Sequence, residues 1–509
     1  VFNMYLTNSY RYVQPPVVGG FETRWTTTSV NEVIELPYKS SGVYSGTIDW
    51  GDGSTPVANT YANRSHTYAT AGDYNIIIDG ECSIFDTQSN STSRDKLKEV
   101  LGWGTYTFST LRMRQCSNFI GGLNCRDTPI INTVDAGFMF YNNTNMLGFQ
   151  HIENWDMTNI PNPFWMFMNC QQFTGDLSSW DMSNCLNISY MFYNCYALNF
   201  DASGWDLSNC TRVNQLFAGM YLNFNSDAPF DLTSVTSNGY SLFYNSQQFN
   251  GDLTGMDTST LTRMDNFLAR TSFNNSSINT LDVSSNQNFK GFFTDIHTVS
   301  GVSFNQDLTN WNTSSATNME KMFKGNDDFN ADITGFNTAL VTTMKDMFST
   351  CYNFNRDISG WNVSNVANFD KTFYNADDFN QNISSWNTSS ATNMYRMFYS
   401  ANDFDQPIGT WDVSNVTNME SMFQACNDFD QDLSAWDLSS ITNMANFMSQ
   451  RTHVQFSAAN YDNLLDACVN GGQLNVTLGM GTIKYTSAGA PDRASLVARG
   501  WTITDGGQI

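Results

Sequence analysis

Residues 379–436 read FNQNISSWNTSSATNMYRMFYSANDFDQPIGTWDVSNVTNMESMFQACNDFDQDLSAW. Trp386, Trp411 and Trp436 stand 25 residues apart, and Asn-Met and Met-Phe pairs recur between them at fixed offsets. A phrase repeated in register marks a repeat array, whose single units are too small to bury their own apolar residues and must do so against one another. Toward the N-terminus the same slot holds Trp361, Phe336, Trp311, Leu281, Met256, Phe230, Trp205, Trp180 and Trp155, with one extra residue before Met256 and a five-residue insertion before Trp311. Twelve coils result.

With the slot numbered 1, apolar residues return at positions 1, 3, 6, 9, 12, 13, 19 and 23. Leu177, Trp180, Met182, Cys185 and Ile188 follow the spacing of a leucine-rich repeat with bulkier side chains. The step from 1 to 3 is strand alternation, and Met419, Met422 and Phe423 at i, i+3 and i+4 predict one helical turn. The expected fold is therefore a right-handed, leucine-rich-repeat-like solenoid: a parallel sheet plus short helical turns in 25-residue coils. Asn at position 8 (Asn187, Asn318, Asn368, Asn393, Asn418, Asn443) is expected to be buried and structural.

The ends differ from the middle. Residues 1–20 form an extended segment, 21–80 a small β-sandwich-like module with Gly-rich turns, 81–127 a transition and N-terminal cap, 128–455 the solenoid, and 456–509 an α/β cap. The chain of 509 residues carries 24 Lys and Arg against 48 Asp and Glu, a net charge of −24, which argues against nucleic acid as a partner. No apolar run is long enough for a membrane helix, so no membrane span is expected.

The phrase F-[ND]-x-[DN]-[IL]-[ST]-x-W-[DN]-[VT]-S-x-[VA]-T-N-M-x-x-M-F, together with KLKEVLGWG near the front and RASLVARGWTITDGG at the close, resembles the BspA-like leucine-rich repeat surface proteins from Leu97 to Gly507. DWGDGS and HTYATAGDY resemble a PKD-type β module. The resemblance implies a non-enzymatic, extracellular protein at a cell or virion surface, binding protein or glycan. The alternative is a structural subunit of a filament, surface layer or virion that associates with copies of itself.

Catalytic apparatus is not visible. His66, His151, His297 and His453 are scattered, and neither a nucleophile elbow nor a phosphate loop occurs, so no enzyme is expected. Cysteines at positions 6 and 16 read as buried thiols, while Cys116 and Cys125, nine apart, are the disulfide candidates. Asp49 and Asp52 read as turn residues. Position 2 projects outward and runs Asp156, Asp181, Asp206, Asp231, Asp257, Asp282, Asn312, Asn337, Asn362, Asn387, Asp412, Asp437. Asp156, Asp181 and Asp206 are candidate calcium ligands, calcium being the only cofactor considered. The neutral strip Asn312, Asn337, Asn362 and Asn387 is the candidate ligand-binding surface, because asparagine both donates and accepts without the cost of burying a charge.

Overall fold

The computed structural model describes residues 19–89, 92–131, 136–221, 224–235, 239–296, 301, 303–451 and 455–509. The segment expected at 1–20 lies almost wholly outside the described residues. The chain divides into two compact units, residues 1–185 with 194–200 and residues 186–193 with 201–509.

The first unit begins with strands. Phe21, Thr23, Trp25 and Thr27 are buried in β1 (Phe21–Thr27), the period of two that a pleated strand imposes. The module continues through β2 (Glu32–Glu35), β3 (Thr47–Asp49), β4 (Val57–Ala58), β5 (Ser65–Tyr68), β6 (Gly72–Asp79), β7 (Ile84–Asp86), β8 (Leu97–Gly102) and β9 (Thr110–Arg112). Five of these form one antiparallel sheet in the order β4-β3-β6-β1-β8, while β2 pairs separately with β5. The expected small sandwich is thus a single five-stranded sheet beside a two-stranded pair. The far edge of β8 is covered, since Ile120 N–H donates to Lys98 O at 2.9 Å and Arg126 N–H to Leu101 O at 3.1 Å. Glu99, in that strand, is fully buried. Arg24 at 3.1 Å and both nitrogens of Asn124, at 3.0 and 2.7 Å, satisfy its carboxylate.

The repeats correct the sequence expectation. A leucine-rich-repeat-like solenoid requires a continuous parallel sheet and a helical turn in every repeat, and neither forms: the described residues hold small sheets, the largest of them antiparallel, two α-helices, both beyond residue 457, and within the repeats only the isolated 3₁₀ turns Ile152–Asn154 and Ser276–Thr280. Between successive repeats there are only single-residue bridges, such as Asn368↔Asn393↔Asn418↔Asn443 at position 8. Met419, Met422 and Phe423 are fully buried, but in consecutive turns rather than a helix.

Backbone conformation is the cause. Two residues four apart take left-handed φ in repeat after repeat, for example Lys371 (54°) with Asn375 (54°) and Arg396 (52°) with Ser400 (52°). Each interrupts both a helical and an extended run. The N–H groups then divide between two duties. Met397, Tyr399 and Ala401 donate to the carbonyls of Met394, Arg396 and Phe398 and close turns. Met394, Arg396, Phe398 and Ser400 donate instead to Asn418, Glu420, Met422 and Gln424 of the next repeat, at 2.9–3.0 Å. The first unit uses the same device, with Phe138, Phe140 and Asn142 donating to Phe164, Met166 and Met168.

Stacked apolar columns fill the space between these ladders. In the second unit Phe348, Phe373, Phe398 and Phe423 follow one another at 5.5–5.7 Å with interplanar angles of 2–9°. A second phenylalanine file runs from Phe329 to Phe429, with Phe329 and Phe354 5.9 Å apart and Phe404 and Phe429 6.0 Å apart. Trp386 and Trp411 stack at 6.3 Å, and the Trp386 indole donates to Ile358 O at 3.1 Å. The backbones beneath them are at hydrogen-bonding distance, and it is the left-handed residues that stop this pairing from extending into a sheet.

A side-chain ladder at position 20 adds a third connection. Asn355 N–H donates to Asn330 Oδ1 (3.1 Å), Asn380 to Asn355 (3.1 Å), Asp405 to Asn380 (3.0 Å) and Asp430 to Asp405 (2.9 Å). At its end Ser457 N–H bonds Asp430 Oδ1 and starts α1 (Ala458–Gly471), which Gly472 terminates at φ 74°. Nearby, buried Arg451 replaces the small residue of position 16 and donates to the carbonyls of Asn427, Phe429 and Gln455, groups that have no further repeat to meet. Short β10 (Thr477–Gly479) and β11 (Thr502–Thr504) pair in parallel, with α2 (Ala490–Ala498) between them in sequence.

Trp386→Ala is expected to cost about 3–5 kcal/mol through the cavity left in the column, measured by denaturant unfolding. At Ser400, glycine is expected to be neutral or stabilising and valine to cost about 1–2 kcal/mol more than serine, because a β-branched residue resists left-handed φ. Equal stability of the Gly and Val variants would refute the turn geometry.

Candidate functional site

Position 2 is exposed, as the sequence suggests, but its side chains are committed to the backbone. Asn312, Asn337, Asn362 and Asn387 each accept through Oδ1 from the N–H two residues on, belonging to Ser314, Ala339, Ser364 and Ser389, at 3.0–3.1 Å. Aspartate does the same work at other repeats: Asp156 accepts from Thr158, Asp181 from Ser183, Asp206 from Ser208 and Asp412 from Ser414, at 2.9–3.0 Å. These are Asx turns, for which Asn and Asp are equivalent acceptors. What the asparagine strip offers a ligand is its outward amide nitrogen, a donor without the paired acceptor. The same turn recurs at position 8, where Asn393 accepts from Tyr395 N–H at 3.1 Å and is half-buried rather than fully enclosed.

The candidate calcium ligands take part in the same turns. Hydrogen bonds from Ser208 hold the Asp206 carboxyl below the usual carboxylate range, and those from Ser414 do so for Asp412. Among the described residues no three His, Cys, Asp or Glu side chains gather as they would around a metal ion. Cys116 and Cys125 are buried thiols that are not joined to each other. Cys116 donates to Arg114 O at 3.5 Å and Cys125 to Asp127 O at 3.3 Å, and burial pushes each thiol up to about 12.

His66 contacts Asp52 at 2.7 Å and stacks on Trp50 at 5.1 Å. Burial works against ionisation of Asp52, but hydrogen bonds from Ser54 and His66 outweigh it and bring the carboxyl to about 2. Asp49 accepts from Gly51 N–H at 2.9 Å, so this acid pair closes a strand-linking turn. His151 lies 3.7 Å from Glu153, while His297 and His453 fall outside the described residues.

A different face gathers the chemically varied side chains. Between residues 201 and 451 there are eleven Lys and Arg, of which all but Arg356 and the buried Arg451 fall at positions 8–15, on the consecutive turns. Position 10 holds Lys345, Asp370, Tyr395 and Glu420 in four successive repeats, position 11 Asp346, Lys371, Arg396 and Ser421, and position 14 Ser349, Tyr374, Tyr399 and Gln424. Position 19 holds phenylalanine in all four. Ion pairs lie across the turns, with Lys345 and Asp370 at 2.8 Å and Lys290 and Glu320 at 3.1 Å. Tyrosines join them: Tyr190 and Tyr240 share a hydrogen bond at 2.7 Å, and Tyr374 stacks on Tyr399 at 4.8 Å. A groove of about 590 Å³ opens at positions 15–19, just past these turns, lined by Asn245, Gln247, Gln248 and Thr271 together with Arg270, which lies 3.6 Å from Asp295. Sequence reasoning missed this face because it looked for repeated residues. The available signal was the opposite one, turn positions that exchange charged, aromatic and small polar residues while the ring-stacking positions hold.

Asn387→Asp is expected to leave stability nearly unchanged at pH 7, whereas Asn387→Ala should cost about 0.5–1.5 kcal/mol through the lost turn acceptor. Asp206 and Asp412 have folded pKa values below their unfolded value. Their contribution is therefore fully present above about pH 4 and is lost as pH falls through the depressed range. Melting temperature followed from pH 6 to about pH 2 should decline in that window, less steeply once Asp206 and Asp412 are replaced by Asn.

No helix among the described residues is long and apolar enough to cross a membrane. No curated protein matches the chain. The family model described as "Mycoplasma protein of unknown function, DUF285" matches residues 112–229, 220–301, 296–403 and 357–461, which together span more than half of the chain. The repeats that carry both the aromatic columns and the variable turns lie inside those matches, and the chain belongs to the DUF285 family.

Proposed function

We propose that this protein is a non-enzymatic recognition scaffold of the BspA-like kind, displayed outside a cell or on a virion, that binds another macromolecule through its turn face. One observation carries the reading. In the four repeats from Phe336 the ring-stacking positions 1, 9, 13 and 19 stay aromatic or methionine, while positions 10, 11 and 14 exchange Lys, Arg, Asp, Glu, Tyr, Ser and Gln on an unchanged backbone. A frame that tolerates substitution at one surface, and presents tyrosine and arginine there, has the composition of a contact surface: both side chains supply large contact areas and directional hydrogen bonds. The asparagine strip ranks second, since its carbonyl oxygens are already engaged. A surface rich in neutral polar groups, with charged residues at 14% of the chain, suits an extracellular setting.

The test pairs sedimentation of the purified chain with its binding to intact cells and to surfaces coated with extracellular-matrix extract. The expected result is a monomer that binds saturably, is competed by the same chain in solution, and loses at least tenfold in affinity when Lys371, Tyr395, Arg396 and Tyr399 are replaced together by Ser. Assembly into filaments at micromolar concentration, with no binding to any foreign surface, would overturn the proposal in favour of a self-associating structural subunit.

A further inference from the structure

We infer that the turn face of the second unit holds a binding site for an anionic glycan, a sulfated or uronate-bearing polysaccharide, centred on Lys371, Tyr374, Tyr395, Arg396 and Tyr399. The inference deepens the recognition reading above and rests on it. The five side chains come from two successive repeats and are all half-buried. Arg396 Cζ lies 4.9 Å from the Tyr395 ring centre and 5.5 Å from that of Tyr399, and Lys371 Nζ lies 5.3 Å from the Tyr395 ring. Tyr374 and Tyr399 stack at 14° on the same side. The rings therefore fix and partly desolvate two cations whose charge still faces outward.

Three features point to the ligand class. The first is charge: on a chain of net charge −24, the exposed cations of these repeats concentrate on this face. The second is pairing. Arg396 makes no ion pair among the described residues, and its Nε is buried without a hydrogen-bond partner. Of the neighbouring carboxylates, Asp370 pairs with Lys345 at 2.8 Å and with Lys371 at 3.9 Å, and Glu420 accepts from Asn443 Nδ2 at 2.9 Å, so Arg396 is the cation of the cluster whose charge these acids leave for a ligand. The third is the donor balance. Guanidinium and ammonium donate only, and the three phenols add hydroxyls, so the cluster offers many donors and few acceptors. An acidic peptide would bring backbone N–H groups that find few acceptors here beyond the phenol oxygens. A glycan carrying sulfate or carboxylate presents acceptors at every sugar and apolar ring faces to the tyrosines.

The experiment measures affinity of the full chain for heparin, chondroitin sulfate, dextran and polyglutamate at about 0.05 and 0.3 M salt, conditions that separate screened from unscreened ionic contacts. Heparin or chondroitin sulfate should bind and weaken with salt, and dextran should not bind. Lys371→Gln/Arg396→Gln should lower the affinity at least tenfold with the melting temperature unchanged, while Asn337→Asp/Asn362→Asp should not. Should the double variant melt early, Arg396→Lys supplies the reading, with an expected loss of about threefold as the planar fork is removed. Equal binding by variant and parent, absence of binding to both sulfated glycans, or tighter binding of polyglutamate than of either glycan would overturn the assignment. A chain that fails here but still binds cells or matrix would lose the glycan site and keep its recognition role.

Discussion

Every backbone N–H buried in these repeats must find an acceptor, and the chain meets that demand by alternating the direction of its bonds. One group closes a turn inside its own repeat and the next reaches the neighbouring repeat, as at Met397 to Met394 and Phe398 to Met422. Left-handed residues at positions 11 and 15 make the alternation possible. A non-glycine residue there costs of order 1–2 kcal/mol, offset by the hydrogen bonds and by the aromatic columns that the geometry brings into register. Columns and ladders are mutually dependent: the inter-repeat bonds bring equivalent rings into register, with Phe348 and Phe373 5.7 Å and Phe404 and Phe429 6.0 Å apart between ring centres.

Much of the repeat was legible in the sequence, and the reason it was misassigned is specific. The 25-residue period, the tryptophan slot and the burial of Met419, Met422 and Phe423 all follow from spacing. Spacing of i, i+3 and i+4 nonetheless fits two consecutive turns as well as one helical turn, because both place those residues on one side. What separates them is the sign of φ at Ser421 and Ala425, and neither residue type announces a left-handed conformation as glycine does. Asn at position 20 was equally visible, yet its side chain bonds a neighbouring repeat instead of its own turn, a choice set by the stacking step. Cys116 and Cys125 illustrate a further limit: proximity in sequence suggested a bond, whereas each thiol points to a carbonyl within its own loop.

The division of labour within a repeat explains where function can reside. Residues at positions 2, 8, 20 and 22 are polar and in many repeats exposed, the usual marks of a binding surface, but their oxygens are bound to main-chain N–H groups. At positions 10, 11 and 14 the backbone makes its inter-repeat bonds whatever the side chain, and contacts such as the Lys345–Asp370 ion pair and the Tyr190–Tyr240 hydrogen bond are added to them, so the residue type varies between repeats. A substitution there changes what the protein presents without changing how it holds together.

The same reasoning changes the meaning of the strong acidity. An Asx turn accepts either Asn or Asp, so each such position adds a negative charge or none at little cost to the fold. Asp412 and Asn387 occupy equivalent places in adjacent repeats with the same bond, at 3.0 and 3.1 Å. Much of the charge of −24 therefore belongs to turn acceptors and need not report a cationic partner. It does set the background against which any partner binds. At long range an anionic chain is repelled by the acidic turns, and only within about a Debye length of the cation-rich turns does the local potential outweigh the net charge. Such a surface would discriminate by alignment: on the turns themselves Asp370 and Glu420 at position 10 stand beside Lys371 and Arg396 at position 11, so an anionic ligand would gain only where its charges fall on the cations and not on the acids between them.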